Sequence, residues 1–201
     1  MSGRGRFIVF EGGDACGKST QASRLAADLG ALLTRQPGGT AIGATIRSIV
    51  LDPANTALDD RAEALLYAAD KAQHVHEVIE PALARGEDVV CDRFVASSVV
   101  YQGYGRGLEV GHLQELLGWA TARLEPDLVL LLEVPGSVMH ARLGVDRDRL
   151  EALPPDFHER VRAGFRAVAT HHDHWTRIDA SGSVDEVASR VRAAVQARWP
   201  S

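Results

Sequence analysis

The segment at residues 7–20, FIVFEGGDACGKST, constrains the fold more than any other part of the chain. A short apolar run at 7–11 leads directly into the pattern G-x-x-x-x-G-K-S at 12–19, and a helical pattern follows. Glycines in such a loop let backbone N–H groups converge on a phosphate, and the lysine adds a point charge beside the N-terminus of the helix. This order predicts a nucleotide-binding α/β domain.

The rest of the chain alternates short apolar runs with longer amphipathic stretches, which is typical of βα units that feed a buried parallel sheet. Strands are predicted at residues 7–11, 31–34, 88–92, 127–134 and 175–179. Helices are predicted at residues 18–29, 42–51, 60–85, 113–123, 157–171 and 185–199. Pro81 is expected to kink or end the third helix. We therefore predict one α/β domain over residues 1–201, with a five-stranded parallel sheet and helices on both of its faces.

Composition narrows the partners and the cellular setting. The formal net charge of -5 argues against nucleic acid as a partner, because affinity for a phosphate backbone needs an excess of clustered cations. Cys16 and Cys91 are far apart and lack metal-ligand spacing, so neither a disulfide framework nor a zinc site is indicated. The apolar run near the N-terminus is too short for a signal segment or a membrane span. We expect a cytoplasmic protein with no membrane partner.

Residues 141–155, ARLGVDRDRLEALPP, depart from the α/β rhythm. Arg142, Arg147 and Arg149 stand among acidic residues there, and few apolar positions anchor the segment. We predict an exposed, mobile lid within the domain that carries arginines to a phosphate. A solvated charged loop is the alternative.

The phosphate loop, or P-loop, does not by itself specify the chemistry, since GTPases, ATP-driven machines, ligases and small-molecule kinases share it. The sequence has no N-K-x-D guanine-reading segment and no large insertion, so a compact kinase is favoured. Asp92 and Arg93 follow the third predicted strand. A carboxylate at that end of a buried strand can hold Mg²⁺ or its water shell, and the arginine can clamp a phosphate.

Five motifs together resemble the thymidylate kinase family, whose members phosphorylate dTMP to dTDP. The motifs are FEGGDACGKST (10–20), TRQPGGT (34–40), LLYAADKAQH (65–74), DRFVASSVVYQG (92–103) and DRLE (148–151). They occur in the family's order and spacing over almost the whole chain. The resemblance implies a P-loop nucleoside monophosphate kinase fold with a small lid, ATP as donor, Mg²⁺ as cofactor and a homodimer.

On the donor side, the resemblance implies that the P-loop holds ATP through Gly12, Gly13, Asp14, Ala15, Cys16, Gly17, Lys18, Ser19 and Thr20. Ser19 and Asp92 are the expected Mg²⁺ ligands. Some family members carry an arginine in the P-loop where this chain has Ala15, so the lid is expected to supply that charge. The expected catalytic residues are Lys18, Asp92, Arg93, Arg147 and Arg149.

On the acceptor side, the resemblance implies contacts to the base. Tyr67 matches the ring that stacks on thymine, and Lys71 matches the basic residue that donates to thymine O4. Ser98 and Gln102 match positions that bond the edge of the base. Position 71 is usually arginine, and lysine lacks the guanidinium fork, so base affinity or selectivity is open to change.

The remaining acceptor positions concern the sugar and the phosphate. Tyr101 matches the ring that packs against the sugar and disfavours a 2′-hydroxyl, and Asp14 matches the carboxylate that contacts the 3′-hydroxyl. Arg47 and Arg93 match the residues that grip the 5′-phosphate. Gln36 replaces the usual glutamate of the second motif, which removes one negative charge near the acceptor.

Two alternatives remain at this stage. One is another small nucleotide kinase or a deoxynucleoside kinase. The other is a nucleotide-regulated binding protein that keeps the loop without the chemistry. Such a protein would be expected to have lost one of four groups, and all four are present, namely Lys18, Ser19, Asp92 and Arg93.

Overall fold

The computed structural model describes residues 3–142, 147–170 and 172–200. Its strands are β1 (Phe7–Glu11), β2 (Leu32–Arg35), β3 (Val89–Asp92), β4 (Leu128–Glu133) and β5 (Trp175–Asp179). They form a five-stranded sheet in the order β2-β3-β1-β4-β5, and every neighbouring pair is parallel. The predicted parallel sheet is confirmed, and each predicted strand end lies within one residue of the observed end.

The helices bracket these strands. Their bounds are α1 (Lys18–Leu29), α2 (Ala41–Leu51), α3 (Asp60–His74), α4 (Glu80–Ala84), α5 (Val95–Ser98), α6 (Val110–Ala120), α7 (Gly136–Arg142), α8 (Pro155–Ala169) and α9 (Val184–Arg198). A π-helical segment, Val75–Ile79, joins α3 to α4, and a second one, Val99–Gly105, continues α5. The interruption expected at Pro81 lies just before it, and the helix ends at Ala84. Helices α5 and α7 lie outside the predicted helical ranges.

The core has two layers, one on each face of the sheet. Ile8 and Phe10 of β1 are buried in a cluster with residues of α1 and α9. Phe7 and Val9 point to the opposite face and are buried in a cluster with residues of the segment at 75–83. Because both faces of β1 are covered, its residues are apolar in succession, as expected for a parallel strand between helices.

The predicted lid segment at 141–155 is only partly described, since residues 143–146 lie outside the described ranges. The expectation that this segment is exposed is wrong for Arg149 and Leu150, which are both buried. Leu150 belongs to a core cluster with Tyr67 and Phe157, so one leucine anchors the turn to the domain. Within the described parts of the chain, no helix is long and apolar enough to cross a bilayer.

The parallel arrangement determines where the site lies. β1 leads into the P-loop, β2 into the loop at 36–40, and β3 into the segment that contains Arg93. Because the strands are parallel, these three segments emerge at the same edge of the sheet. In open α/β sheets the crevice at the carboxyl ends of the strands is where ligands bind.

Candidate active site

The P-loop connects β1 to α1 and depends on two glycines. Gly12 has φ 140° and Gly17 has φ 93°, backbone angles that residues other than glycine rarely adopt. A Cβ atom at Gly12 would also collide with the carbonyl oxygen of Leu132. Lys18 is the first residue of α1, and its Nζ donates to the carbonyl oxygen of Gly13 at 2.5 Å. The loop therefore curls around a buried cation at the start of a helix, which is a site for phosphate.

Ser19 and Asp92 form the candidate metal site. The hydroxyl of Ser19 donates to Oδ2 of Asp92 at 2.5 Å. The other carboxylate oxygen, Oδ1, is shielded from solvent and has no hydrogen-bond partner among the described residues. Mg²⁺ prefers oxygen ligands of this kind, and a bound ion would satisfy an oxygen that is otherwise costly to bury. These residues fit Mg²⁺.

Arg93 joins the end of β3 to the P-loop. Its Nη1 donates to the carbonyl oxygen of Gly12 and to Oγ of Ser97, both at 3.1 Å, and its Nη2 lies 2.6 Å from Oδ1 of Asp14. The hydroxyl of Tyr101 donates to Oδ2 of Asp14 at 2.8 Å. Burial raises the pKa of Asp14, but the adjacent Arg93 is the main cause that brings it below its usual value. Asp14 is thus a largely buried carboxylate that is fixed between a cation and a phenol.

Glu11 is a site residue that sequence reasoning missed. It is the last residue of β1 and is fully buried. Its Oε1 accepts from the backbone N–H groups of Phe94 at 2.9 Å and Ser97 at 3.1 Å, and its Oε2 accepts from Oγ of Ser97 at 2.6 Å. The carboxylate therefore holds the start of α5 against the P-loop. A glutamate directly after an apolar strand was the available indication.

One cleft of about 380 Å³ joins the P-loop to the predicted acceptor residues. The predicted residues that line it are Asp14, Ala15, Gly17, Lys18, Ser19, Thr20, Arg47, Tyr67, Lys71, Asp92, Arg93, Ser98, Tyr101 and Gln102. Gly12, Gly13 and Cys16 instead line a smaller cavity of about 30 Å³ beside the loop. The predicted donor and acceptor residues therefore line one continuous space, which is the arrangement that phosphoryl transfer between two nucleotides requires.

The side chain of Lys71 is buried yet lines the cleft. Its Nζ is 5.6 Å from the ring centroid of Tyr67, which precedes it by one helical turn. Burial lowers the pKa of Lys71, and the neighbouring Asp70 partly offsets that effect. A buried cation beside an aromatic face can donate to a carbonyl group of a flat ligand.

Helix α3 also fixes the loop at 36–40. Oδ1 of Asp70 accepts from the backbone N–H of Gly38 at 2.9 Å. On the other side of the loop, Nη1 of Arg47 donates to the carbonyl oxygen of Pro37 at 3.0 Å. Arg47 is thereby held at the wall of the cleft, where its guanidinium can bind an anion.

His74 of α3 contacts the same loop through Gln36. Nε2 of Gln36 lies 3.0 Å from Nδ1 of His74, and Oγ1 of Thr34 lies 2.6 Å from its Nε2. Because an amide nitrogen can only donate, Nδ1 of His74 accepts and its Nε2 carries the proton. Burial lowers the pKa of His74 to about 4, so the ring is neutral. Gln36, the departure from the family motif, therefore fixes the tautomer of a buried histidine.

The two predicted lid arginines are in different environments. Arg147 is exposed. Arg149 is buried; its Nε donates to the carbonyl oxygen of Val50 at 2.9 Å, and its Nη2 pairs with Glu63. The structure brings neither arginine to the P-loop, whereas Arg142 lines the cleft. Glu63 was another residue that sequence reasoning missed, although it precedes Tyr67 by one helical turn.

The fold and the site together define a class of protein. Three features describe a P-loop nucleoside monophosphate kinase: a parallel sheet with a P-loop after its central strand, a carboxylate at the end of β3, and a cleft that extends from the loop to α3. Comparison with known proteins identifies the family. The thymidylate kinase family model matches residues 10–191, and the chain belongs to the thymidylate kinase family.

Individual relatives agree with that assignment. The thymidylate kinase of Leifsonia xyli subsp. xyli is 48% identical over 202 residues and covers 96% of each chain. The thymidylate kinase of Cutibacterium acnes is 44% identical over 197 residues, which is 95% of this chain and 96% of the relative. The crystal structure of thymidylate kinase from Ehrlichia chaffeensis superposes with a TM-score of 0.80 at 28% identity, over 96% of this chain and 100% of the other.

Proposed function

We propose that this chain transfers the γ-phosphoryl group of ATP to the 5′-phosphate of dTMP, giving ADP and dTDP, a precursor of dTTP. Membership of the thymidylate kinase family supports the reaction. The observation that carries it most directly is the shared cleft, in which the P-loop cation Lys18 and the base-side residues Tyr67 and Lys71 line one space.

ATP would occupy the P-loop at residues 12–20. Nζ of Lys18 donates to the carbonyl oxygen of Gly13, and we propose that it turns to the β- and γ-phosphates when ATP binds. Ser19 and Asp92 would hold Mg²⁺, which supplies charge neutralisation between the phosphates. The shielded, unpartnered Oδ1 of Asp92 supports that assignment.

The base of dTMP would bind between α3 and the α5 segment. We assign Tyr67 to stacking on thymine, Lys71 to donation to O4, and Ser98 and Gln102 to the edge of the ring. All four side chains are buried and line the cleft. A base that supplied no matching hydrogen bonds would leave these buried groups unsatisfied, which is how such sites reject analogues.

The sugar and phosphate of dTMP would lie nearer the P-loop. Tyr101 would pack against the sugar, and Asp14 would accept from the 3′-hydroxyl. Arg47 and Arg93 would bind the 5′-phosphate. The direct pairing of Arg93 with Asp14 supports this arrangement, because it holds the phosphate and sugar ligands at a fixed separation.

The chemistry needs alignment and positive charge more than a general base. The second pKa of a phosphate monoester is about 6, so most of the acceptor is already dianionic at neutral pH. Lys18, Arg93 and lid arginines would stabilise charge on the transferring group. We propose both Arg147 and Arg149 for the lid role; Arg147 is already exposed, whereas Arg149 would have to leave Glu63.

We further propose a cytoplasmic homodimer. Ile42 of α2, Leu65 of α3 and Trp119 of α6 are 56%, 57% and 80% exposed on helices that pack side by side. Apolar residues gathered on adjacent helices favour a second copy of the chain as partner. Cys16 and Cys91 are unpaired and buried, which suits a reducing compartment.

The reaction is tested by incubating the purified chain with ATP, Mg²⁺ and dTMP and separating the nucleotides. We expect equal amounts of ADP and dTDP. Lys18→Met should lose turnover by about 10³-fold or more while it still binds dTMP, since the removed charge acts on the transferring group. A folded wild-type protein that forms no dTDP would contradict the proposal.

A further inference from the structure

Glu63 is a buried carboxylate that the proposed reaction does not use. It lies on α3, is 0% exposed and is not part of the cleft wall. Its oxygens accept from Nε2 of Gln102 at 2.8 Å and from Nη2 of Arg106 at 2.9 Å, and they also pair with Arg149. Of its three partners, only Gln102 lines the cleft.

The chemistry of this contact fixes the orientation of the Gln102 amide. Burial raises the pKa of Glu63, but hydrogen bonds from Arg106, Gln102 and Arg149 outweigh it, so the pKa lies below its usual value and the group is ionised. An ionised carboxylate only accepts hydrogen bonds, so Gln102 must direct its NH₂ group to Glu63. Its Oε1 lies on the other side of the planar amide.

Gln102 lines the cleft that the proposed function assigns to dTMP. Gln102 is 1% exposed and lines the cleft, and its Oε1 has no hydrogen-bond partner in the part of the chain that the structure describes. An acceptor held in this way needs a donor from the ligand. Lys71, in the same cleft, has only donors to offer.

We propose that Glu63 is a positioning residue that selects the base through Gln102, an inference that rests on the proposed function. By fixing Oε1 toward the cleft, Glu63 makes the site complementary to a base that carries an N–H group beside a carbonyl oxygen. Thymine and uracil present N3–H next to O4. Cytosine presents an acceptor at N3 and an amine at position 4, so it mismatches both Gln102 and Lys71.

Arg106 provides a way to separate this role from simple structural support. Its Nη2 donates to Glu63, but its Nε also lies 3.2 Å from Oδ1 of Asp60, and its guanidinium lies 5.5 Å from the ring centroid of Phe157. Removing Arg106 therefore weakens the same carboxylate cluster while it leaves the bond between Glu63 and Gln102 in place.

The direct test is Glu63→Gln, assayed with dTMP and dCMP as acceptors. A neutral amide can donate or accept, so the Gln102 amide is free to rotate. We expect KM for dTMP to rise by about 10- to 100-fold. Any change in kcat that comes from the altered pairing of Glu63 with Arg149 should be the same for dTMP and dCMP. The ratio of kcat/KM for dTMP to that for dCMP should fall by about tenfold or more.

Three comparisons complete the test. Arg106→Gln should lower the thermal stability and keep the ratio of kcat/KM for dTMP to that for dCMP. Asp88→Asn alters a carboxylate that pairs with Arg6 at the opposite edge of the sheet, and it should also keep that ratio. In a Gln102→Ala background, Glu63→Gln should change the ratio by less than about twofold, because the two residues act as one unit. If Glu63→Gln does not stay folded, Glu63→Asp replaces it, since the shorter side chain draws the carboxylate away from Gln102.

The proposal is overturned if a folded Glu63 variant keeps the wild-type acceptor ratio. It is equally overturned if Arg106→Gln lowers that ratio as much as Glu63→Gln does. Failure of the proposed function is distinguishable, because it would appear as a wild-type enzyme that does not phosphorylate dTMP.

Discussion

Nη2 of Arg93 lies 2.6 Å from Oδ1 of Asp14, and this ion pair joins the end of β3 to the P-loop. Both side chains are largely buried, and the hydroxyl of Tyr101 occupies the second oxygen of Asp14. The residues that we propose as ligands for the acceptor's sugar and phosphate therefore hold one another in position. Preorganised charges of this kind act on a transition state without the cost of rearranging them during the reaction.

Asp14→Asn tests the proposed contact with the 3′-hydroxyl. The wild-type enzyme should prefer dTMP over its 3′-deoxy analogue by about tenfold or more in kcat/KM, because the analogue leaves a buried carboxylate short of a donor. In Asp14→Asn, with its weaker acceptor, that preference should shrink to about threefold or less. Steady-state kinetics with both acceptors measure it. An unchanged preference in the variant would place the 3′-hydroxyl contact elsewhere.

Lys71→Met tests recognition of the base. The apolar side chain has a similar length but no donor, so KM for dTMP should rise by about tenfold or more while kcat changes little. Lys71→Arg is the matched control, since it keeps the charge and should keep the preference for dTMP. Equal KM values for the wild type and Lys71→Met would show that Lys71 does not contact the base.

Arg147→Ala tests the lid. Because Arg147 is exposed and would act only on the transferring group, kcat should fall by about 10²-fold or more. The dissociation constant for dTMP, measured by calorimetry, should stay the same. Unaltered turnover in both Arg147→Ala and Arg149→Ala would remove the lid from the mechanism.

Arg149→Ala should differ from Arg147→Ala in stability. Arg149 is buried and pairs with the fully buried Glu63, and removing one partner of a buried pair costs about 3 kcal/mol. We therefore expect Arg149→Ala to lower the midpoint of urea unfolding and Arg147→Ala to leave it unchanged. Both variants should have a reduced kcat. Equal unfolding midpoints for the two variants would contradict the structural role of the Arg149 pair.

His74 predicts how stability depends on pH. The pKa of His74 is about 4 in the folded chain, whereas the ordinary value of 6.5 applies to the unfolded chain. Between pH 4 and 6.5 the unfolded chain therefore binds a proton at His74 that the folded chain does not bind. The contribution of neutral His74 to the free energy of unfolding is therefore fully present above pH 6.5. It is lost as the pH falls toward 4, by up to about 3 kcal/mol. Urea unfolding from pH 7 to 4 should show a shallower loss for His74→Gln, which cannot titrate. Parallel curves for the two proteins would contradict this account.

Much of the fold could be predicted because parallel strands that are covered on both faces have continuous apolar runs in the sequence. The run at Phe7–Glu11 is apolar up to its last residue, and its ends were predicted without error. Helix α7 has no comparable sequence pattern, since it is short and begins at Gly136. Its place depends on Met139, which is buried and lies beside the P-loop. That contact is tertiary and has no local pattern.

The site shows the same division. Tyr67 and Lys71 could be assigned because they share one face of a helix and belong to a motif. Glu63 lies one turn earlier on α3, but its partners Gln102, Arg106 and Arg149 are 39, 43 and 86 residues away. A buried carboxylate that orients another side chain is recognisable only when those distant segments are brought together.

The acceptor preference tests the central claim most directly. The purified enzyme is assayed with ATP and Mg²⁺ against dTMP, dUMP, dCMP, AMP and thymidine, and kcat/KM is determined for each. We expect dTMP to give the highest value, and dCMP, AMP and thymidine to be lower by about 10²-fold or more, because each lacks a group that the cleft binds. Preferred turnover of dCMP, AMP or thymidine over dTMP would contradict the account.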